Sequence, residues 1–126
     1  MAGNKVFVTW QDVENYLDAL VKNLADKHIK PTGVYGIPRG GLIFAVLLSH
    51  KLDVPLLLAP AQGCVVIDDI ADSGRTLLHY TSNDTQFNKY LITTMYYHER
   101  SVVKPDFWLH EKGEQWIVFP WEYDKK

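Results

Sequence analysis

Apolar residues in this chain fall into short runs separated by polar turns, and the runs predict alternating helices and strands. Between residues 9 and 27 the apolar side chains recur at helical spacing, at Val13, Tyr16, Leu17, Leu20, Val21 and Leu24. Thr9, with Asp12 three positions later, forms a variant of the capping box, so a helix is expected to begin there. The apolar run over residues 42–52 predicts a second, largely buried helix.

Short apolar and β-branched segments predict strands at 33–37, 54–58, 64–67 and 90–97, with shorter candidates at 107–109 and 116–119. A polar loop over 68–74 precedes a further helix that opens at 76–80. This order predicts an α/β fold, a central and mostly parallel β-sheet flanked by helices. Because ligands of such sheets bind beyond the carboxyl ends of the strands, two loops stand out, residues 38–41 and 68–76.

Composition narrows the class of protein. The chain has 126 residues, 47% of them hydrophobic and 22% charged, so residues 1–126 are expected to form a single folded domain. A net charge of -2 argues against a nucleic-acid or anionic-membrane binder. A single cysteine, Cys64, allows no internal disulfide. With no signal peptide and no long apolar run, a cytoplasmic location is expected.

The loop over residues 68–76 brings carboxylates and phosphate-binding groups together. Asp68 and Asp69 follow an apolar strand directly, and carboxylates suit either a vicinal diol or a hydrated divalent cation. Ser73, Gly74 and Thr76 at a helix start suit a phosphate, through their hydroxyls and backbone N–H groups. The alternative is that these Asp residues only cap a helix in solvent. A ligand carrying both a diol and a phosphate would use the whole loop.

The segment from Val65 to Thr76 resembles the signature of the type I phosphoribosyltransferases, which bind 5-phosphoribosyl 1-pyrophosphate (PRPP). The resemblance implies that Asp68 and Asp69 hold the ribose hydroxyls and approach Mg²⁺ through water. It implies that the 5-phosphate lies in the loop formed by Ala71, Asp72, Ser73, Gly74, Arg75 and Thr76. Asp72 would also lie near the incoming base and act as its general base, which makes Asp72, Asp68 and Asp69 the implied catalytic residues.

The loop of Pro38, Arg39, Gly40 and Gly41 follows a strand and precedes a helix. Its glycines allow close approach of a ligand to the backbone, and an Arg can donate to two oxygens of one phosphate. Taken alone, it could equally be a plain turn with a solvated Arg. Beside the first motif it resembles the pyrophosphate loop of the same family, in which a non-proline cis peptide is common. Such a bond would fall between Pro38 and Arg39.

The C-terminal segment from Trp116 to Glu122 resembles the tail of the xanthine–guanine phosphoribosyltransferases. The resemblance implies that Trp116 stacks on a purine and that main-chain groups near Ile117 read its edge. Core packing is the alternative for Trp116, and the expected role of Trp121. Purine-specific relatives donate to the base from a Lys after the 90–97 strand. Here His98 or Arg100 would have to replace it, and His98 is the predicted base-binding residue.

A long mobile segment closes over the sugar in the relatives, between their second and third strands. In this chain only residues 53–63 join the second predicted helix to Cys64, so that segment is missing. The function implied is transfer of a phosphoribosyl group from PRPP to a purine base, in a homo-oligomer (dimer or tetramer). Two alternatives remain: a non-catalytic regulator that binds PRPP or a nucleotide, and an interaction protein in which the motifs are relics.

Overall fold

The computed structural model describes residues 4–81 and 90–123. In chain order its elements are β1 (Lys5–Phe7), α1 (Trp10–Asp26), β2 (Val34–Gly36), α2 (Leu42–Leu52), β3 (Val65–Ala71), α3 (Arg75–Leu78), β4 (Leu91–Tyr97), β5 (Phe107–Glu111) and β6 (Trp116–Val118).

Helix α1 begins where the capping box predicts. The Asp12 N–H donates to Thr9 Oγ1 at 3.0 Å, and the Thr9 N–H donates to Asp12 Oδ2 at 2.9 Å. Both bonds satisfy N–H groups that a helix start leaves without partners. The predicted apolar face is buried, at Val13, Tyr16, Leu17, Leu20 and Leu24. Helix α2 also has the predicted bounds.

Four parallel strands form the central sheet, in the order β2-β3-β4-β5, which confirms the predicted α/β fold. The strands are covered on both faces. Val65 and Ile67 of β3 pack into the core shared with α1 and α2, whereas Val66 packs with Leu77 of α3 on the opposite face. Burial on both sides explains the uninterrupted apolar run at the start of β3. None of the helices in residues 4–81 and 90–123 is long and apolar enough to cross a bilayer.

Strand β3 is longer than its sequence predicts. The predicted strand stopped at Ile67 and gave Asp68–Gly74 to a loop, but the ladder with β4 continues through the pairs Asp68–Thr94, Ile70–Tyr96 and Ala71–Tyr97. The prediction was wrong because polar residues suggest a loop, whereas here the neighbouring strand supplies their backbone partners. The two carboxylates therefore lie on a sheet strand.

The predicted strand at 54–58 is also absent. That segment makes one isolated bridge, from Leu56 to Val34, with the Val34 N–H donating to Pro55 O at 2.9 Å. Strand β2 offers only three residues for pairing, which is too short to extend the ladder. The sequence also gave no sign of β1, which pairs with β6 in parallel and fixes Lys5 opposite Trp116.

Candidate functional site

The two loops selected from the sequence lie side by side at the carboxyl edge of the sheet. The Ile37 N–H donates to Ile67 O at 3.0 Å. The loop after β2 therefore begins next to Ile67, the residue of β3 that directly precedes the two carboxylates. The Gly41 N–H then donates back to Ile37 O at 2.8 Å and closes a tight turn. The peptide between Pro38 and Arg39 is cis, as the family resemblance implied.

Gly40 is the point of contact between the two loops. A β-carbon at this position would overlap the carboxylate of Asp69, so only a glycine allows the backbone of the turn to approach that side chain. Arg39 is exposed beside it, whereas Gly41 is buried. Pro38 is exposed and is not among the described residues that line the cavities below.

Asp68 and Asp69 form a mostly buried pair of carboxyl groups. The Asp69 N–H donates to Asp68 Oδ1 at 2.8 Å, and the Ile70 N–H donates to Asp69 Oδ1 at 2.7 Å. Burial raises the pKa of Asp68, and the neighbouring Asp69 charge raises it further. Burial also raises the pKa of Asp69. The site thus holds two carboxyl groups in a place where a bound cation or a hydroxyl-rich ligand would favour their charged forms.

The segment after β3 borders a small cavity of about 140 Å³. Gly74 adopts φ +80° there, and the Ser73 carbonyl accepts the Val102 N–H at 2.8 Å. The Arg75 N–H donates to Ser73 Oγ at 3.3 Å. The cavity is lined by Asp68, Ile70, Asp72, Ser73, Gly74, Arg75, Thr76 and Leu77. Ala71, which the resemblance placed in this loop, is instead the buried last residue of β3.

A second cavity, of about 420 Å³, shares Ile70 and Asp72 with the first. Both apolar and charged side chains line it; the lining residues are Ile70, Asp72, Arg100, Lys112, Glu114, Gln115, Trp116, Ile117, Phe119 and Glu122. Strand β6 supplies Trp116, which is 66% exposed, and the buried Ile117. Trp116 is therefore a wall of the cavity, and the core-packing alternative does not hold for it.

A third cavity, of about 520 Å³, adjoins the second through Trp116 and Glu122. Arg39 and Gly40 lie on its other side. The second cavity thus shares lining residues with both of the others, with the phosphate-type loop on one side and the Arg39 turn on the other. Trp121 also borders the third cavity, but its ring stacks on Phe119 at 5.3 Å, which confirms its expected packing role.

His98 is not among the described residues that line the second cavity. Its Nδ1 accepts the Arg100 N–H at 3.0 Å, and its Nε2 lies 3.1 Å from Glu114 Oε2. Arg100 lines the cavity instead, with Nε and Nη2 at 3.0 and 2.7 Å from Asp72 Oδ1. Of the two alternatives for a donor in this region, Arg100 lines the cavity and His98 contacts Glu114 at its border.

Sequence reasoning missed Lys112, Glu114 and Glu122 as cavity residues. Lys112 and Glu114 belong to the connection between β5 and β6, whose path depends on the pairing of β6 with β1. Glu122 accepts the Phe119 N–H at 3.0 Å, which holds the chain end over the second and third cavities. None of the three carries a local sequence signal. Within residues 4–81 and 90–123, no three or more His, Cys, Asp or Glu side chains are grouped so as to hold a metal ion.

Comparison with known proteins gives the site a family. No protein-family model matches the chain. The xanthine-guanine phosphoribosyltransferase of Nitratidesulfovibrio vulgaris strain Hildenborough is 27% identical over 145 aligned residues, which cover 94% of this chain and 85% of that protein. The xanthine-guanine-hypoxanthine phosphoribosyltransferase of Helicobacter pylori has the same fold, with a TM-score of 0.80 at 20% identity over 94% of each chain.

A crystal structure of a purine phosphoribosyltransferase from Pyrococcus horikoshii Ot3 superposes with a TM-score of 0.83. It is 30% identical, and the match covers 100% of this chain and 98% of the other. Fold and sequence therefore agree over the whole length, and the motifs around Asp68 and Gly40 meet as the resemblance required. The chain belongs to the type I phosphoribosyltransferase family, among its purine phosphoribosyltransferases.

Proposed function

We propose that this protein transfers a 5-phosphoribosyl group from PRPP to a ring nitrogen of a purine base and releases pyrophosphate, as a step of nucleotide salvage. One observation carries the proposal: three cavities share lining residues, Ile70 and Asp72 between the first and second and Trp116 and Glu122 between the second and third, and each has the chemistry of one part of the reactants.

The 5-phosphate is assigned to the smallest cavity. Ser73, Arg75 and Thr76 line it, and their side chains carry the hydroxyl and guanidinium groups that bind phosphates. Gly74, in its left-handed conformation, lets the backbone turn sharply at that point. Asp68 borders the same cavity, so its carboxylate would accept hydrogen bonds from the ribose hydroxyls next to the phosphate, with Asp69 beside it.

The pyrophosphate is assigned to the turn at Arg39. Arg39 and Gly40 lie on the third cavity, and a guanidinium can donate to two oxygens of a phosphate. Gly41 and Pro38 shape the turn rather than border the cavity. In this arrangement the leaving group departs toward Arg39, whose positive charge would stabilise it.

Asp68 and Asp69 are a suitable donor set for Mg²⁺, because hard cations prefer carboxylate oxygens. A cation would also stabilise the charged forms of these two neighbouring buried carboxyl groups. Two carboxylates leave most of the coordination positions to water and to oxygens of PRPP. When bound, the ion would offset the negative charge of the departing pyrophosphate.

The base is assigned to the second cavity. The exposed ring of Trp116 offers a stacking surface, and the backbone near Ile117 offers hydrogen-bonding groups for the edge of the base. Asp72 lies where the phosphate cavity and the base cavity meet. A carboxylate at that junction is placed to accept a proton from the base as its nitrogen attacks the sugar. Positioning the two reactants would then supply much of the acceleration.

The test is release of pyrophosphate from PRPP and Mg²⁺ with guanine, xanthine, hypoxanthine, adenine, uracil and orotate in turn. Release should depend on a purine, and Asp72→Asn should lower kcat by about 100- to 1,000-fold, as expected for loss of a general base. Asp26→Asn, which alters an exposed carboxylate of α1, serves as the matched control. Silence with every base in the wild type would rule out the transferase.

A non-catalytic regulator that binds PRPP or a nucleotide is the second candidate. Residues 53–64 are all that join α2 to β3, and they contain no strand or helix beyond the isolated bridge at Leu56. A segment this short offers little to cover the sugar and exclude water. Saturable binding of PRPP without turnover would favour this function.

A homo-oligomer, dimer or tetramer, acting in the cytoplasm is part of the proposal. Trp10, Leu42 and Val46 are about half exposed around a shallow apolar cavity of about 230 Å³, between α1 and α2. Exposed apolar surfaces of this kind are typical of protein interfaces. We name these three residues the α1–α2 patch.

A further inference from the structure

Tyr123 borders the third cavity and is itself almost uncovered, with an exposed fraction of 92%. Trp121, two positions earlier, lines the same cavity, but ring contacts with Phe44 and Phe119 hold it, at centroid distances of 5.1 and 5.3 Å. The Tyr123 ring therefore lies at the mouth of the cavity rather than in the wall behind it. An exposed ring with a hydroxyl at its tip can contact a ligand through both parts.

The backbone that carries Tyr123 is anchored by the turn before it. The Glu122 N–H donates to Phe119 O at 3.0 Å, and the Phe119 N–H donates to Glu122 Oε1 at 3.0 Å. Trp121, inside this turn, also contacts the Trp10 ring of α1 at 5.6 Å. The turn fixes where Tyr123 leaves the fold, while the exposed side chain keeps its choice of rotamers.

Arg39 and Gly40 line the same cavity. Arg39 is exposed, and within residues 4–81 and 90–123 it forms no ion pair, so its charge is available to an anion. The Glu122 carboxylate, also in the lining, would repel a phosphate toward Arg39. Since Gly40 lies against the Asp69 carboxylate, the cavity extends from Arg39 to the residues assigned to the ribose.

Resting on the proposed function, we propose that Tyr123 binds the pyrophosphate of PRPP together with Arg39 and shields the sugar from water. The phenol O–H donates to a pyrophosphate oxygen, and the ring covers the cavity beside Gly40. The connection at residues 53–64 lines none of the three cavities, so it offers no side chain for this purpose. Exclusion of water would protect the sugar from hydrolysis until the base attacks.

Equilibrium binding of PRPP and of ribose 5-phosphate, each with Mg²⁺, tests the contact without turnover. The two ligands share the sugar and the 5-phosphate, and PRPP adds the pyrophosphate. Tyr123→Phe, which removes the hydroxyl alone, should weaken PRPP binding by about 3- to 30-fold, as expected for a partly exposed hydrogen bond to a charged group. Tyr123→Ala should weaken it at least as much. Both variants should bind ribose 5-phosphate as the wild type does.

Leu58→Ala is the matched control for these variants. Leu58 is 98% exposed and lies in the short connection, outside the described lining of the three cavities, so binding of both ligands should stay unchanged. Because Tyr123 is also exposed, its substitution should leave the thermal unfolding temperature unchanged.

The shielding role has its own measurement, the share of PRPP that is hydrolysed when hypoxanthine is present. Tyr123→Ala should raise the share of ribose 5-phosphate among the products in ³¹P nuclear magnetic resonance. Tyr123→Phe keeps the ring and should retain the product ratio of the wild type. A merely structural side chain would not separate the two variants in this way.

Equal PRPP affinity in the wild type and Tyr123→Ala would overturn the assignment, and so would an equal loss of affinity for ribose 5-phosphate. Turnover of a purine with unchanged PRPP affinity in both variants would leave the transferase standing alone. Weaker PRPP binding in both variants, without turnover in the wild type, would contradict only the transferase.

Discussion

Asp68 and Asp69 show how one pair of residues sets both stability and chemistry. Their sequence position after an apolar strand predicted a role in binding, but not their burial, which depends on β4 and on the turn at Gly40. Burial raises the pKa of both carboxyl groups and so favours a protonated form of the pair. A bound ligand or cation would favour the charged forms, and the fold therefore gives up stability to prepare the site.

The first prediction concerns the pH dependence of stability. Between the ordinary pKa of an Asp, about 4, and its raised value, the folded chain holds a proton that the unfolded chain has released. The free energy of unfolding should therefore fall as pH rises through this interval. Asp68→Asn removes one of these groups while keeping an acceptor for the Asp69 N–H. Thermal unfolding from about pH 5 to about pH 8 should show a shallower decline, with about 1–3 kcal/mol gained at the upper end.

The same variant should bind PRPP about 10- to 100-fold more weakly, because a neutral amide replaces a charged acceptor. Asp26→Asn is the control for both measurements, since that carboxylate is exposed and pairs with Lys22 one turn away. A pH profile of Asp68→Asn that coincides with that of the wild type would contradict the burial argument.

At the scale of elements, the sequence pattern predicted the features that depend on contacts within a single segment. The capping box at Thr9 and the apolar faces of α1 and α2 are properties of the segments themselves, and both helices have the expected bounds. The length of β3 and the loss of the strand at 54–58 depend on what the neighbouring strand offers, which no single segment encodes. The placement of Arg100 in the cavity depends likewise on the turn after β4.

The second prediction concerns the turn between β3 and α3. Gly74 has φ +80°, and a β-carbon there would overlap Ser101 Oγ and lie 2.8 Å from the Val102 nitrogen. Gly74→Ala should therefore lower the free energy of unfolding by about 1–3 kcal/mol, measured by urea denaturation. It should also weaken PRPP binding, because the turn borders the assigned phosphate cavity.

Gly113→Ala is the matched control for that variant. A β-carbon at Gly113 would meet only the end of the flexible Gln115 side chain, so little loss of stability is expected. If both glycine variants unfold at the same urea concentration as the wild type, the close packing of the turn against residues 101–103 is refuted.

At the scale of the whole molecule, the α1–α2 patch predicts self-association. Val46→Asp places a charge in the middle of the apolar surface and should convert the oligomer to a monomer in sedimentation equilibrium, with an unchanged circular dichroism spectrum. Leu58→Asp is the control, because Leu58 is 98% exposed and lies outside the patch. A wild type that sediments as a monomer would contradict the predicted oligomer. An oligomer that Val46→Asp leaves intact would place the interface elsewhere.

The connection between α2 and β3 is short. The central question for the whole molecule is therefore whether the base or water attacks the sugar of PRPP. The most direct measurement is ³¹P nuclear magnetic resonance of PRPP incubated with the protein, Mg²⁺ and hypoxanthine or guanine. The account predicts that nucleoside monophosphate and pyrophosphate appear in equal amounts, and that neither appears without a base. Unchanged PRPP in the presence of saturable binding would contradict the transferase and leave the regulator. Pyrophosphate with ribose 5-phosphate in place of nucleotide would mean that water, not the base, reaches the sugar.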